Sequence, residues 1–174
     1  MKVKFFKHNL GNDEKLYFNK VIDSTFITTG PVTKLFERKF ADYLNAKYCL
    51  GVSSWTAGNH ITLKALGIKP DDEIITTPMS FIATSNTIIH AGAKPVFVDV
   101  ESETGNINVD NIINAITTQT KAIIPVHLYG QMCDMIAIRE IANKYDLYVI
   151  EDSAHCIEGE RDGVRPGELS DAAV

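Results

Sequence analysis

Short apolar runs alternate with amphipathic stretches along most of this chain, and the alternation predicts an α/β fold. The apolar runs predicted to form buried strands cover residues 48–52, 73–77, 95–100, 121–126, 147–150 and 172–174. Apolar residues between them recur at intervals of three and four, which predicts helices over roughly residues 33–44, 59–66, 81–91, 109–116 and 135–145. Strands separated by helices at this spacing are typical of a mainly parallel sheet with helices on both faces.

The first 30 residues lack this alternation. An amphipathic stretch over roughly residues 13–26 leads into the loop Ile27-Thr-Thr-Gly-Pro31. We therefore predict two segments, residues 1–30 and residues 31–174. The last predicted strand consists of residues 172–174 alone. A strand that short would leave neighbouring strands unpaired. We expect the chain to be a piece of a longer protein.

Composition and charge narrow the possible partners. The net charge of −5 argues against a nucleic-acid partner, which would require a basic face. No apolar run approaches the roughly 20 residues of a membrane span. The three cysteines are odd in number and widely scattered, and there is no pattern of a signal peptide. These features predict a cytoplasmic protein without a membrane segment.

Asp152 follows the predicted strand 147–150, where the chemistry of an α/β sheet is expected. Ligands of open α/β sheets bind outside the carboxyl ends of the strands. A buried carboxylate there is costly unless a cation meets it, although a strand-end aspartate more commonly caps the next turn or binds Mg²⁺. His127 and His155 lack the close spacing of a metal-ligand pair, so we predict no metal site.

Two further stretches lie at predicted strand ends. Residues 53–58 lead from a strand into a helix, where free N–H groups and hydroxyls suit a phosphate. Ser54 or Thr56 could equally be an ordinary N-cap. Phe81 begins a helix after a proline turn and could stack on a flat ligand, although most aromatic residues at such positions belong to the core.

Long ordered motifs extend over nearly all 174 residues. They are Thr29-Gly-Pro31 with Phe36-Glu37, Ser53-Ser-Trp-Thr-Ala57, Phe81-Ile-Ala-Thr84, Ala93-Lys-Pro-Val-Phe-Val-Asp99, Thr120-Lys-Ala-Ile-Ile-Pro-Val-His-Leu-Tyr-Gly-Gln131 and Glu151-Asp-Ser-Ala-His155. Together they resemble the first half of the DegT/DnrJ/EryC1/StrS aminotransferases, which use pyridoxal 5′-phosphate to aminate keto-sugar nucleotides. The resemblance implies the N-terminal part of the large domain of fold type I enzymes, with residues 1–30 on the substrate side.

The resemblance also implies roles for individual residues. The implied cofactor-binding residues are Trp55, Thr56, Ala57, Phe81, Asp152 and His155, and the implied substrate-binding residues are Thr28 and Thr29. The turn at Thr56 would hold the phosphate, Phe81 would stack on the pyridine ring, and His155 would lie beside that ring. Asp152 would pair with the protonated ring nitrogen, so that its buried charge would be satisfied.

Two departures from the family pattern are present. Trp55 and Gly58 occupy positions that usually hold small residues and alanine in the phosphate turn. The Schiff-base lysine of the family belongs to a Ser-Phe-x-x-x-Lys segment that is expected beyond Val174, so no catalytic residue is assigned within this chain. We expect the chain alone to be catalytically inert and to bind the cofactor weakly.

The activity implied for the parent protein is transamination of a keto nucleotide sugar, with glutamate as amino donor, for polysaccharide or glycan precursors. The resemblance further implies a homodimer whose active sites borrow residues from the partner subunit. One alternative is a sugar dehydratase of the same family, in which histidine replaces the lysine. Another is a truncated, non-catalytic binding remnant.

Overall fold

The computed structural model describes residues 7–174 and consists of six α-helices and five short strands in that range. The strands are β1 (Glu73–Thr76), β2 (Lys94–Phe97), β3 (Thr120–Ile123), β4 (Tyr148–Glu151) and β5 (Ala172–Ala173). The helices are α1 (Asn12–Ile22), α2 (Pro31–Leu44), α3 (Trp55–Ala65), α4 (Ala83–His90), α5 (Val109–Ala115) and α6 (Met135–Tyr145). None of these helices is long and apolar enough to cross a membrane.

The strands form one parallel sheet in the order β2-β1-β3-β4-β5. Ile75 of β1 lies opposite Val96 on one side and Ile123 on the other, which fixes the register at the centre of the sheet. Parallel neighbours need long crossover connections, and helices supply them between β1 and β2, β2 and β3, and β3 and β4. The predicted α/β class and parallel sheet are confirmed.

Alternation along the strands separates the core into two layers, because successive side chains point to opposite faces. Ile74 and Ile150 pack with Leu63 of α3 and Ile88 of α4. The neighbouring residues in sequence, Ile75 and Val149 among them, pack instead with α5 and α6. Helices therefore cover both faces of the sheet, as predicted. Alternate residues along each strand pack against opposite helix layers.

The described chain divides into two compact units, one ending at Gly51 and the other running from Val52 to Val174. In the first unit neither α1 nor α2 has a buried residue, and Phe18, Ile22 and Phe36 are exposed. The predicted N-terminal segment includes residues 1–6, which lie outside the described residues. The division at residue 30 stays a prediction.

One predicted strand is wrong. Residues 48–52 are not part of the sheet, and within the described residues they pair with no strand. Tyr48 is 77% exposed and Leu50 is 79% exposed, so this apolar run is not buried in the structure. A strand requires a neighbouring backbone for its hydrogen bonds, and an apolar run does not by itself supply one.

Candidate active site

Asp152 lies directly beyond β4 at the carboxyl edge of the sheet. Its backbone N–H donates to the Pro125 carbonyl (2.9 Å), and its carbonyl accepts the N–H of His127 (3.1 Å). These bonds extend the pairing of β3 and β4 through a bridge between Val126 and Asp152. The main chain of Asp152 is therefore held on both sides, and the residue is only 7% exposed.

A threonine of α4 holds the Asp152 carboxylate. The Thr84 hydroxyl, from a side chain that is itself buried, donates to Oδ2 (2.9 Å). The backbone N–H of Ala154 donates to Oδ1 over a longer distance (3.4 Å). The Ser80 hydroxyl lies 2.6 Å from that of Thr84. Because Thr84 has one hydroxyl proton and gives it to Asp152, Ser80 must donate to Thr84.

The electrostatic setting of Asp152 favours a cationic ligand. Burial raises the pKa of its carboxyl, and the hydrogen bonds from Thr84 and Ala154 lower it less strongly. Among residues 7–174, no lysine, arginine or histidine nitrogen lies within 4.0 Å of this carboxylate. A proton donor or cation reaching Asp152 would offset the cost of burial.

The first residue of α3, Trp55, is hydrogen-bonded to Val174 at the same edge of the sheet. The carbonyl oxygen of Val174 accepts both the indole N–H of Trp55 (2.9 Å) and the backbone N–H of Ser153 (2.8 Å). Trp55 thus shares its hydrogen-bond acceptor with Ser153, the residue next to Asp152. Gly58 fits this close packing, because a Cβ there would lie 2.8 Å from a methyl carbon of Val174. The glycine that departs from the family pattern has a steric reason.

The first turn of α3 has an ordinary cap as well as phosphate-binding potential. Ser54 is the N-cap, and its hydroxyl accepts the N–H of Ala57 (3.1 Å). The Ala57 N–H therefore already has an intramolecular acceptor. Thr56 lies at the second helical position, where backbone N–H groups have no intrahelical partner. Its hydroxyl and N–H are the better placed groups for an anion at this helix end.

Three aromatic rings flank this edge. Phe81 is 77% exposed, so the structure does not place it in the core. The His155 ring stacks on that of Tyr129, with centroids 6.1 Å apart and planes 14° from parallel. Tyr129 is 80% exposed and has φ +54°, a conformation that non-glycine residues rarely adopt. Phe81 and Tyr129 therefore both have exposed rings, in segments that lead to Thr84 and follow His127, the two residues that hydrogen-bond Asp152.

Glu151 forms a second buried network on the opposite face of the strand. Its carboxylate accepts the Nε2–H of His127 (2.7 Å) and the backbone N–H of Gly167 (2.9 Å). The Nδ1 of His127 accepts the N–H of Cys133 (3.1 Å), so the ring proton is assigned to Nε2. Because both side chains are fully buried, this pair ties β4 to the loop at Gly167 rather than binding a ligand.

The structure gathers some of the predicted site residues. Trp55, Asp152 and His155 lie at one edge, and Phe81 begins the segment that leads into α4. Sequence reasoning missed Thr84 as the hydrogen-bond donor to Asp152, because the two residues are 68 positions apart in the sequence. It also missed Tyr129. Within the described range, no group of three metal-ligating side chains could hold an ion.

The substrate-side residues belong to the other unit. The Thr28 carbonyl accepts the hydroxyl of Thr33 (2.8 Å), which closes the loop onto the start of α2. Thr28 and Thr29 are both exposed. Their predicted role in binding a sugar nucleotide stays a prediction.

Comparison with known proteins gives consistent matches. The model of the DegT/DnrJ/EryC1/StrS aminotransferase family matches residues 8–174. Protein MJ1066 of Methanocaldococcus jannaschii is 51% identical over 95% of this chain and 43% of its own length. GDP-perosamine synthase of Caulobacter vibrioides is 39% identical over 95% of this chain and 45% of its own length. This chain spans less than half the length of these relatives.

A solved structure agrees with the sequence matches. Protein Spr1654 of Streptococcus pneumoniae, in its PMP form, superposes with a TM-score of 0.92 at 30% identity. The match covers 98% of this chain and 46% of that chain, and the same protein has also been solved in its PLP form. The fold is that of fold type I, PLP-dependent sugar aminotransferases, as predicted.

Proposed function

Because this chain belongs to the DegT/DnrJ/EryC1/StrS aminotransferase family, we propose that the whole protein is a pyridoxal 5′-phosphate-dependent sugar aminotransferase. In this proposal the amino acceptor is a keto nucleotide sugar and the donor is glutamate. A relative named GDP-perosamine synthase supports an acceptor of the nucleotide-sugar class. The observation that carries the proposal is the buried Asp152 carboxylate at the carboxyl edge of the sheet.

The residues present fit pyridoxal phosphate. Asp152 is buried and held by the Thr84 hydroxyl, and burial raises the pKa of its carboxyl. A protonated pyridine nitrogen is the kind of partner that such a carboxylate requires, since it brings both a positive charge and a hydrogen-bond donor. The exposed ring of Phe81 offers a stacking surface for a flat heterocycle.

The phosphate end of the cofactor fits the start of α3. Thr56 contributes a hydroxyl and an N–H at a helix N-terminus, where the helix dipole favours an anion. The indole N–H of Trp55 donates to the Val174 carbonyl and is not available to the phosphate. In this proposal the Trp55 ring borders the phosphate site. His155 lies three residues beyond Asp152 and would face the ring from the side.

Pyridoxal phosphate supplies an electron sink that stabilises negative charge at the carbon bonded to the amino nitrogen. The residues of this chain bind and orient it. Asp152 would keep the proton on the ring nitrogen, and the Thr84 hydroxyl, by donating to Oδ2, would stabilise the ionised carboxylate in that pair. Ser80, as donor to Thr84, fixes the direction of that hydroxyl.

Substrate and assembly complete the proposal. Thr28 and Thr29 would line the sugar-nucleotide site, and the protein would act as a homodimer. The three cysteines are free in the structure, which supports the predicted cytoplasmic location.

The test uses the whole protein that contains this chain. We expect the purified protein to bind pyridoxal phosphate, seen by its visible absorbance, and to convert a keto nucleotide sugar and glutamate into an amino sugar, seen by mass spectrometry. Asp152→Asn should lose most of the activity and bind the cofactor more weakly, because the amide cannot pair with a ring cation.

Asp42→Asn is the matched control, because it removes an exposed carboxylate from α2 and should leave both readouts unchanged. A product that has lost a hydroxyl without gaining nitrogen would identify a dehydratase instead. A whole protein that binds no pyridoxal phosphate would refute the proposal.

A further inference from the structure

Tyr129 is the residue of the cleft edge that combines an unusual backbone with an exposed aromatic ring. It lies in the short 3-10 turn Leu128–Gly130, with φ +54° and ψ +29°. An L-residue in this left-handed region meets a steric penalty that glycine avoids, and such residues are concentrated at functional sites. A fold under no constraint at this position would be more stable with glycine or asparagine.

The turn that presents Tyr129 is held by a buried asparagine. Asn106 is 1% exposed, and its Oδ1 accepts the N–H of Leu128 (3.1 Å) while its Nδ2 donates to the carbonyl of Gln131 (2.9 Å). Both ends of one amide thus bracket Tyr129. The amide orientation is fixed, since an N–H can only donate and a carbonyl can only accept.

The ring of Tyr129 lies at the edge that carries Asp152. His127, two residues before Tyr129, donates its N–H to the Asp152 carbonyl. The Tyr129 ring stacks on His155, which lies three residues beyond Asp152 in the sequence. The His155 ring lies nearly parallel to it with centroids 6.1 Å apart, and Tyr129 as a whole remains 80% exposed. The exposed remainder consists of an aromatic surface and a phenolic hydroxyl.

We propose that Tyr129 contacts the sugar ring of the substrate, and that Asn106 is the positioning residue that keeps Tyr129 in place. The inference rests on the proposed function and adds a specificity-determining residue to it. An aromatic face packs against the C–H groups of a sugar ring, and a phenol exchanges hydrogen bonds with sugar hydroxyls. Phe81 remains the stacking surface for the cofactor, so the two rings have different ligands.

The experiment compares Tyr129→Gly, Tyr129→Phe and Asn106→Asp in the whole protein. Tyr129→Gly should raise the KM for the keto nucleotide sugar about fivefold or more, because it removes a ring contact. Tyr129→Phe should raise it less, since only the hydroxyl is lost. Asn106→Asp keeps the acceptor for Leu128 but loses the donor to Gln131, and it should also raise this KM.

The donor half-reaction separates binding of the sugar from general damage. Glutamate alone drives the first half of a ping-pong transamination, so in all three variants the KM for glutamate should change much less than the KM for the sugar. The Tm of Tyr129→Gly should not fall, because glycine relieves the left-handed backbone. Asp162→Gly, at a second non-glycine residue with φ +54°, is the control that relaxes the backbone elsewhere and should leave the KM for the sugar unchanged.

The inference is overturned if Tyr129→Gly leaves the KM for the sugar unchanged. It is also overturned if Tyr129→Gly changes only the dissociation of the dimer. If the wild-type protein transfers no amino group, the proposed function fails by itself. Calorimetric titration with GDP-mannose would then still test Tyr129. Equal affinity in the wild type and in Tyr129→Gly would refute its role, and weaker binding by the variant would support it.

Discussion

Replacing Asp152 by asparagine should stabilise the folded chain at neutral pH in the absence of cofactor. The residue is 7% exposed, and burial raises the pKa of its carboxyl, so the folded state holds a proton more readily than the unfolded state. A group of this kind contributes stability below its unfolded pKa and loses it as the pH rises through the folded pKa. At pH 7 the ionised carboxylate therefore opposes folding.

The magnitude follows from two opposing effects. Each pKa unit between the folded and unfolded states corresponds to about 1.4 kcal/mol, which the neutral asparagine recovers at pH 7. Asparagine can still accept the Thr84 hydroxyl, but its amide nitrogen would oppose the N–H of Ala154, now bonded at 3.4 Å. Losing that long bond costs about 0.5–1.5 kcal/mol. We expect the effect of the raised pKa to be the larger, so that Asp152→Asn is more stable than the wild type at pH 7.

The assay is urea unfolding of the chain and of Asp152→Asn at pH 7 and at pH 4, followed by the fluorescence of Trp55, the only tryptophan. Trp55 reports on this edge because its indole binds the carbonyl that also accepts Ser153. The advantage of the variant should shrink as the pH falls, because the wild-type carboxyl becomes protonated. A variant less stable than wild type at pH 7, or a difference independent of pH, would refute the reasoning.

Three further outcomes are expected. Thr84→Val should destabilise the chain by about 1.5–3 kcal/mol at pH 7, because it removes a hydrogen-bond donor to ionised Asp152 and raises the pKa of that carboxyl further. The loss should be smaller at pH 4. Thr84→Ser should retain most of the stability in the same urea curves. Glu151→Gln should lower the free energy of unfolding by about 1–3 kcal/mol, since its amide must face one of two buried donors, and an unchanged Tm would contradict the network described above. Burial raises the pKa of Cys133 to about 12, so peptide mapping after iodoacetamide at pH 8 should find Cys49 alkylated and Cys133 unmodified, whereas equal labelling would show that the fold opens there.

The local signals in the sequence were strong enough to predict most elements. The helix over residues 135–145 has the observed bounds, because apolar residues recur with helical spacing and Asp134 caps its start by accepting the N–H of Ala137 (3.0 Å). Residues 48–52 failed as a strand because strand formation depends on a neighbour, which a local pattern does not contain.

The site likewise has features that the local sequence predicts and contacts that it does not. The position of Asp152 after a buried strand is local information and predicts a ligand-facing carboxylate. Its bond to Thr84 joins residues 68 positions apart and depends on how α4 packs across the sheet. The left-handed backbone of Tyr129 depends on Asn106, which is also distant in sequence. Neither contact could be predicted from spacing.

The parallel strand order has a consequence for how the protein is made. Strands β1 and β2 can pair as soon as both have left the ribosome, whereas Asp152 follows β4, far later in the chain. Synthesis proceeds at about 5–20 residues per second, and pairing between distant strands is intrinsically slow. The carboxylate proposed to bind the cofactor is therefore synthesised after the first three strands of the sheet. Cofactor binding can stabilise the finished edge, but it cannot guide the earliest folding of this chain.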